Sequence, residues 1–149
     1  RATVHRLLGL SGMPHRSTRR RYRPPMSVFQ VDSAGELVRD RRGFVRVSGL
    51  DEIAQNCTVY LSLFLGEIPT RTDKGVDWPN ILAFATSEDA IAQEVERGVL
   101  SRPGVVALDE VVVELDGLDR SAAISYRATA SLADLRRRVL IDGRVDVRV

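Results

Sequence analysis

Ser48-Gly49-Leu50-Asp51-Glu52-Ile53-Ala54-Gln55-Asn56-Cys57-Thr58-Val59-Tyr60-Leu61-Ser62-Leu63-Phe64-Leu65-Gly66 is the stretch whose reading decides the fold of this 149-residue chain. Leu50, Ile53, Cys57, Tyr60, Leu61, Phe64 and Leu65 recur at helical intervals, and the opposite face holds Asp51, Glu52, Gln55, Thr58 and Ser62. Such a stripe of apolar side chains must be buried against another element. Ser48 and Asp51 have the spacing of a capping box, and Gly66 is a natural C-terminal stop. The pattern predicts one amphipathic helix reaching Leu65, with Leu61 in the core and Ser62 in solvent.

On the N-terminal side of this helix, residues 28–31, 36–38 and 44–47 are short apolar segments. They are separated by Asp32-Ser33-Ala34-Gly35 and Asp40-Arg41-Arg42-Gly43, both turn compositions. A small β-meander is expected there. On the C-terminal side, residues 67–80 are rich in turn formers. A second helix is expected from Ser87, whose hydroxyl can cap it, with Ile91, Val95 and Val99 inward and an end before Pro103-Gly104. Residues 105–108 and 111–115 read as strand with a bulge at Asp109-Glu110, and Asp116-Gly117 turns the chain toward a strand over 122–129. Residues 132–138 fit a short helix or a strand. Asp142-Gly143 between residues 139–141 and 144–149 has the form of a two-residue hairpin turn. The fold class is therefore α+β: a small single domain with a short N-terminal β-meander, two main helices and a mixed or antiparallel sheet ending in a C-terminal β-hairpin.

Length and composition agree with one globular core: 44% of residues are apolar and 28% charged. The longest uncharged run, residues 53–66, is shorter than the roughly 18 residues of a membrane span. The single Cys57 cannot form an internal disulfide. The formal net charge of +2 conceals a division, because residues 1–25 carry seven arginines and no acid. The remaining 15 basic and 20 acidic residues leave the rest mildly acidic. Four readings of the head compete: a polyanion-binding arm, a cleaved targeting segment, a disordered tail that orders on a partner, and upstream sequence included by a start placed too early. The last two are preferred, since Met26 opens a strand-like segment. The domain is accordingly expected to span 26–149, with 1–25 as an Arg-rich head.

Both histidines, His5 and His15, lie in that head, so the domain has no imidazole for acid–base catalysis or metal binding. Cys57 on the apolar helix face reads as a small hydrophobe, and no phosphate-cradling glycine loop is present. A carboxylate pair, Glu67 with Asp73 or Asp77, is the one catalytic option, in the manner of a cell-wall hydrolase. No catalytic residue, metal or cofactor is expected. The lone Trp78 reads as a buried or interface anchor.

The order of features is more informative than any one of them. Gly49, Ile53 and Gln55 give Gly-x-x-x-Ile-x-Gln at the helix start; Gly66-Glu67, Asp73-Lys74-Gly75-Val76 and Ile81-Leu82 follow. This series resembles the baseplate wedge family of contractile phage tails, which includes sheath initiators and the related wedge subunit of type VI secretion. Glu67, Pro69 and Arg71 resemble that group's Glu-Pro-Arg element in a spaced form, with Ile68 and Thr70 interrupting it. The resemblance implies a non-enzymatic structural subunit of the virion, placed in the tail baseplate and assembled in the host cytoplasm. It implies several copies, six in such baseplates, touching sheath protein, other wedge subunits and the tube or hub, with no membrane partner. The implied contact residues are Glu67, Pro69, Arg71, Asp73 and Trp78 in the loop, with Glu67, Arg71 and Trp78 assigned to wedge contacts or to bracing the loop, and Arg144, Val145, Asp146, Val147, Arg148 and Val149 in the last strand. A nucleic-acid-binding protein acting through the head is the alternative, and the hydrolase a further one.

Overall fold

The computed structural model describes residues 2–7, 27–83, 87–116, 119–132 and 138–149, and for 2–7 the backbone alone. Helix α1 (Leu50–Ser62) buries Ile53, Cys57 and Leu61, as the apolar stripe predicts. Its start differs from the expected capping box. Gly49 is the N-cap, at φ 69°, and no side chain caps the helix. A positive φ at this point needs glycine, so the backbone rather than the Ser48 hydroxyl sets the entry. The end also comes earlier. Leu63 turns extended, and Phe64 pairs with Val76 in a parallel bridge, leaving Leu65 about half exposed. Leu65 therefore does not belong to the buried stripe.

The register is tested at adjacent positions. Leu61 is fully buried, and Ser62 is exposed with its hydroxyl donating to the Thr58 carbonyl at 2.9 Å. In urea denaturation Leu61→Ala is expected to cost about 2–5 kcal/mol, and Ser62→Ala within about 0.5 kcal/mol. Equal costs would overturn this register.

The N-terminal meander forms in short pieces: β2 (Val28–Phe29), β3 (Arg39–Asp40), β4 (Gly43–Phe44) and β5 (Arg46–Val47), with a bridge between Val31 and Leu37. β2 pairs with β5 and β3 with β4. Gln55 ties this layer to α1. Its Nε2 donates to the Phe29 carbonyl at 2.8 Å, and its Oε1 accepts from the Val31 amide at 3.0 Å. One amide side chain thus satisfies a donor and an acceptor of a strand whose margin would otherwise lack partners.

Beyond the loop come α2 (Trp78–Ala83) and α3 (Glu88–Leu100). Ser87 caps α3 by accepting from the Ala90 amide at 3.3 Å, Glu88 and Asp89 sit at its positive end, and Ile91, Val95 and Val99 are fully buried. The main sheet is antiparallel in the order β1–β6–β7–β8, built from β1 (Ala2–Leu7), β6 (Val105–Asp116), β7 (Ser121–Ser131) and β8 (Arg138–Arg148). The expected bulge in β6 is present as a register shift between Leu108 and Glu110. α3 packs on β6 and α1 on β8, so both helices cover the face that carries Val111, Val113, Ile124, Tyr126, Ala128, Val145 and Val147.

Two stretches depart from the expectations. Six residues of the Arg-rich head, Ala2–Leu7, form β1 on the margin of β6, where a disordered tail was expected. Asp142-Gly143 is not a turn but the middle of an 11-residue strand. The C-terminal hairpin is instead made by β7 and β8, paired in one uninterrupted register from Ser121↔Arg148 to Ser131↔Arg138. Gly143 lies opposite Tyr126, and a Cβ there would come within 2.2 Å of the tyrosine ring. The glycine makes room for a large side chain rather than for a bend. The turn expected at Asp116-Gly117 falls partly, and most of 132–138 falls wholly, outside the described residues.

Candidate interface: the outer strand edge and the 67–78 loop

The 67–78 loop is closed at its base by backbone. The Val76 amide donates to the Leu63 carbonyl and the Leu65 amide to the Val76 carbonyl, each at 2.9 Å. Gly75, at φ +99°, lets the chain pass so close that a Cβ would sit 2.6 Å from the Phe64 carbonyl oxygen. Glu67 is committed to the loop: its carboxylate accepts from the Phe64 amide at 2.9 Å, and its own amide donates to the Phe64 carbonyl at 3.0 Å. Glu67 is thus a brace. Asp77 holds the start of α2 through Asn80, whose Nδ2 donates at 2.6 Å. Pro69, Arg71 and Asp73 are exposed at the tip. Asp73 pairs with Lys74 at 3.0 Å and Arg71 at 3.6 Å, and the hydrogen bond from Lys74 holds its carboxyl below the usual range.

Of the two roles expected for Trp78, partner contact or brace, its position fits the brace. It is fully buried, and its indole Nε1 donates to the Leu61 carbonyl at 2.8 Å. That carbonyl is among the last of α1, which have no partner within the helix. Trp78 offers no surface to a partner. It ties the loop to the helix.

At the end of the chain the side chains alternate as the sequence pattern predicts. Val145 and Val147 are buried against α1, while Arg144, Asp146, Arg148 and Val149 are exposed. The direction of the backbone groups follows from one hydrogen bond. The Val149 amide donates to the Arg120 carbonyl at 3.2 Å. In an antiparallel pair with unbroken register, hydrogen-bonded positions alternate. Residues 145, 147 and 149 therefore bond to β7, and the amides and carbonyls of Arg144, Asp146 and Arg148 point away from it. No described strand lies on that side of β8. A groove of about 570 Å³ runs there, lined by Arg144, Val145 and Asp146, by Thr58 and Ser62 of α1, and by the Asp32–Gly35 turn. This groove was not legible in the sequence, because its three walls are 23 or more residues apart in the chain and no local motif marks it.

The chemistry of the core is inert. Cys57 is fully buried, and desolvation pushes its thiol up to about 11, against a smaller opposing effect of Arg102. Tyr126 is also raised, by burial first. A thiol raised in the folded state stabilises the fold at pH values below its ordinary 9.0, and that contribution is lost as pH rises toward 11. Thermal melts from pH 8 to 11 are expected to show falling stability. Cys57→Ala should flatten the curve, with Tyr126 accounting for what remains; an unchanged slope would show that Cys57 does not titrate on unfolding. Among the described residues, no group of three or more His, Cys, Asp or Glu side chains is arranged to hold a metal ion, and no helix is long and apolar enough to cross a membrane.

The described residues form a helix-covered antiparallel sheet with no described strand outside β8, beside a surface loop braced by Glu67 and Trp78. Comparison with known families gives the class: residues 27–131 match the model of the contractile injection system sheath initiators. The chain belongs to that family, and it is a structural component of a contractile, phage-tail-type baseplate apparatus. No curated protein matches the sequence.

Proposed function

We propose that this subunit seats the first ring of sheath on the baseplate by strand addition along β8. The observation that carries the reading is the row of outward amides and carbonyls at Arg144, Asp146 and Arg148 beside an open groove. A sheet margin of this kind is a template for another chain. Main-chain bonds would supply affinity, and the exposed charges on either side of each valine would set register. The Arg144–Asp146 pair, 3.4 Å apart on the solvent face, is available to rearrange around an incoming strand. The exposed tip of the loop, Pro69, Arg71 and Asp73, faces other baseplate subunits. The subunit is present in several copies, six by the symmetry of such baseplates, and resides in the assembled particle.

The reading is tested by assembling tails without this chain. Baseplates carrying tube but no sheath are expected by electron microscopy, and adding the full chain restores sheath. Sheathed tails of normal length in its absence would overturn the proposal.

A further inference from the structure

A second groove adjoins the one beside β8, sharing Val59 and Leu63 with it, and extends between α1, the loop and the turn after α3. Its volume is about 370 Å³. Val59, Leu63 and Ile68 are its apolar lining; Val59, in the last turn of α1, remains 37% exposed. Arg71 and Lys74 of the loop and Arg102 of the turn after α3 also line it. No acidic residue lines it. The single carboxylate shared by Arg71 and Lys74 is Asp73, which is exposed and outside the groove.

Arg102 is the unusual member. Its guanidinium carbon lies 3.9 Å from the centroid of the Tyr60 ring, and its Nε and Nη2 donate to the Ser101 hydroxyl at 3.1 and 2.8 Å. Among the described residues it has no carboxylate at ion-pair distance. The ring and the hydroxyl hold the planar cation in one orientation, so little entropy remains to be lost when a carboxylate binds it.

We infer that this groove docks an acidic segment of a different protein chain, anchored by a bulky apolar side chain on Val59, Leu63 and Ile68 and paired to Arg102, Lys74 and Arg71. An apolar anchor would exclude water from the groove and strengthen the surrounding charge pairs. A volume near the lower end of ligand-pocket sizes suits one or two side chains rather than a whole folded element. Charge selects the occupant. The chain's own head, with seven arginines and no acid in residues 1–25, is repelled. This inference rests on the structural-subunit reading, and its charged groups Arg71, Lys74 and Arg102 do not line the groove beside β8.

The test places a photo-crosslinking amino acid at Ile68, which lines this groove and not the one beside β8, in the full chain and irradiates assembled tails. The expected product joins Ile68 to another baseplate protein, within a few residues of two or more Asp or Glu. The double variant Lys74→Glu/Arg102→Glu should lose that product and enter tails about tenfold less well, as expected for about 1.4 kcal/mol. Arg102→Gln, which removes the charge and the cation–π contact with Tyr60, should show part of the same loss while lowering the melting temperature by no more than about 4 °C. Attachment to sheath, to a second copy, to nucleic acid or to a segment without acids would overturn the inference, as would normal entry of both variants. If tails recruit sheath normally while Ile68 forms no product, the groove fails alone. Tails that never contain this chain would overturn the structural reading itself.

Discussion

Asp146→Pro is expected to leave the melting temperature of the isolated protein within about 3 °C of the parent, roughly 0.5 kcal/mol for a domain of this size, and to abolish sheath recruitment. Proline removes one backbone donor and fixes φ in a range that an outer strand tolerates. The donor removed at Asp146 points away from β7, as the Val149-to-Arg120 bond and the unbroken register of the hairpin require. Val145 and Val147 keep their buried side chains. Proline at Val147 is the control, because that amide belongs to the ladder with Ala122. Its loss should cost about 3 kcal/mol or more and lower the melting temperature whether or not sheath is present. Electron microscopy of tails assembled with each variant gives the second readout. If Asp146→Pro folds and still nucleates sheath, strand addition at this edge is the wrong mechanism.

Trp78→Ala should be the most destabilising single change in the described core, at roughly 3–5 kcal/mol in urea denaturation. Two effects combine. Removing a fully buried indole leaves a large cavity among α1, α2 and the loop, and it strips the Leu61 carbonyl of its donor. A buried carbonyl left without a partner adds about 1–3 kcal/mol by itself. Trp78→Phe separates the two, since most of the volume remains and only the hydrogen bond is lost. Its cost should be less than half that of alanine. For a domain whose whole stability is about 5–15 kcal/mol, Trp78→Ala should also loosen the loop that carries Pro69, Arg71 and Asp73. A cost below about 1 kcal/mol would show that the tryptophan is not the tie between loop and helix.

Several features were legible in the chain because they depend on neighbours three or four residues away. The inward face of α1, the Ser87 cap, the buried row Ile91, Val95 and Val99, the bulge in β6 and the alternation of the last strand all follow from local spacing. The ordered motif from Gly49 to Leu82 carried the family, and the fold shows what two of its members do. Gln55 joins the meander to the helix, and Gly75 admits the Phe64 carbonyl. The two misreadings have different causes, one distant and one local. Asp142-Gly143 is a strong turn signal when judged by its neighbours, yet the space taken by Tyr126, 17 residues earlier in the chain, calls for a residue without a side chain. Ser48 has the chemistry of a cap, yet the entry angle of the helix is set by Gly49.

By itself, then, the sequence determined which side chains seek the core, where the two long helices run, and that the end of the chain alternates valine with charge. Tertiary structure alone decided which backbone groups of that last strand face outward, since periodicity constrains side chains and says nothing of amides. It also decided that Trp78 lies inside, that Ala2–Leu7 joins the sheet, and that Arg102 meets Tyr60 across 42 positions of chain. Each of these depends on groups distant in sequence becoming neighbours in space. Only the packing of helices on the sheet brings them together, because burial rewards the sum of contacts and not any one local choice.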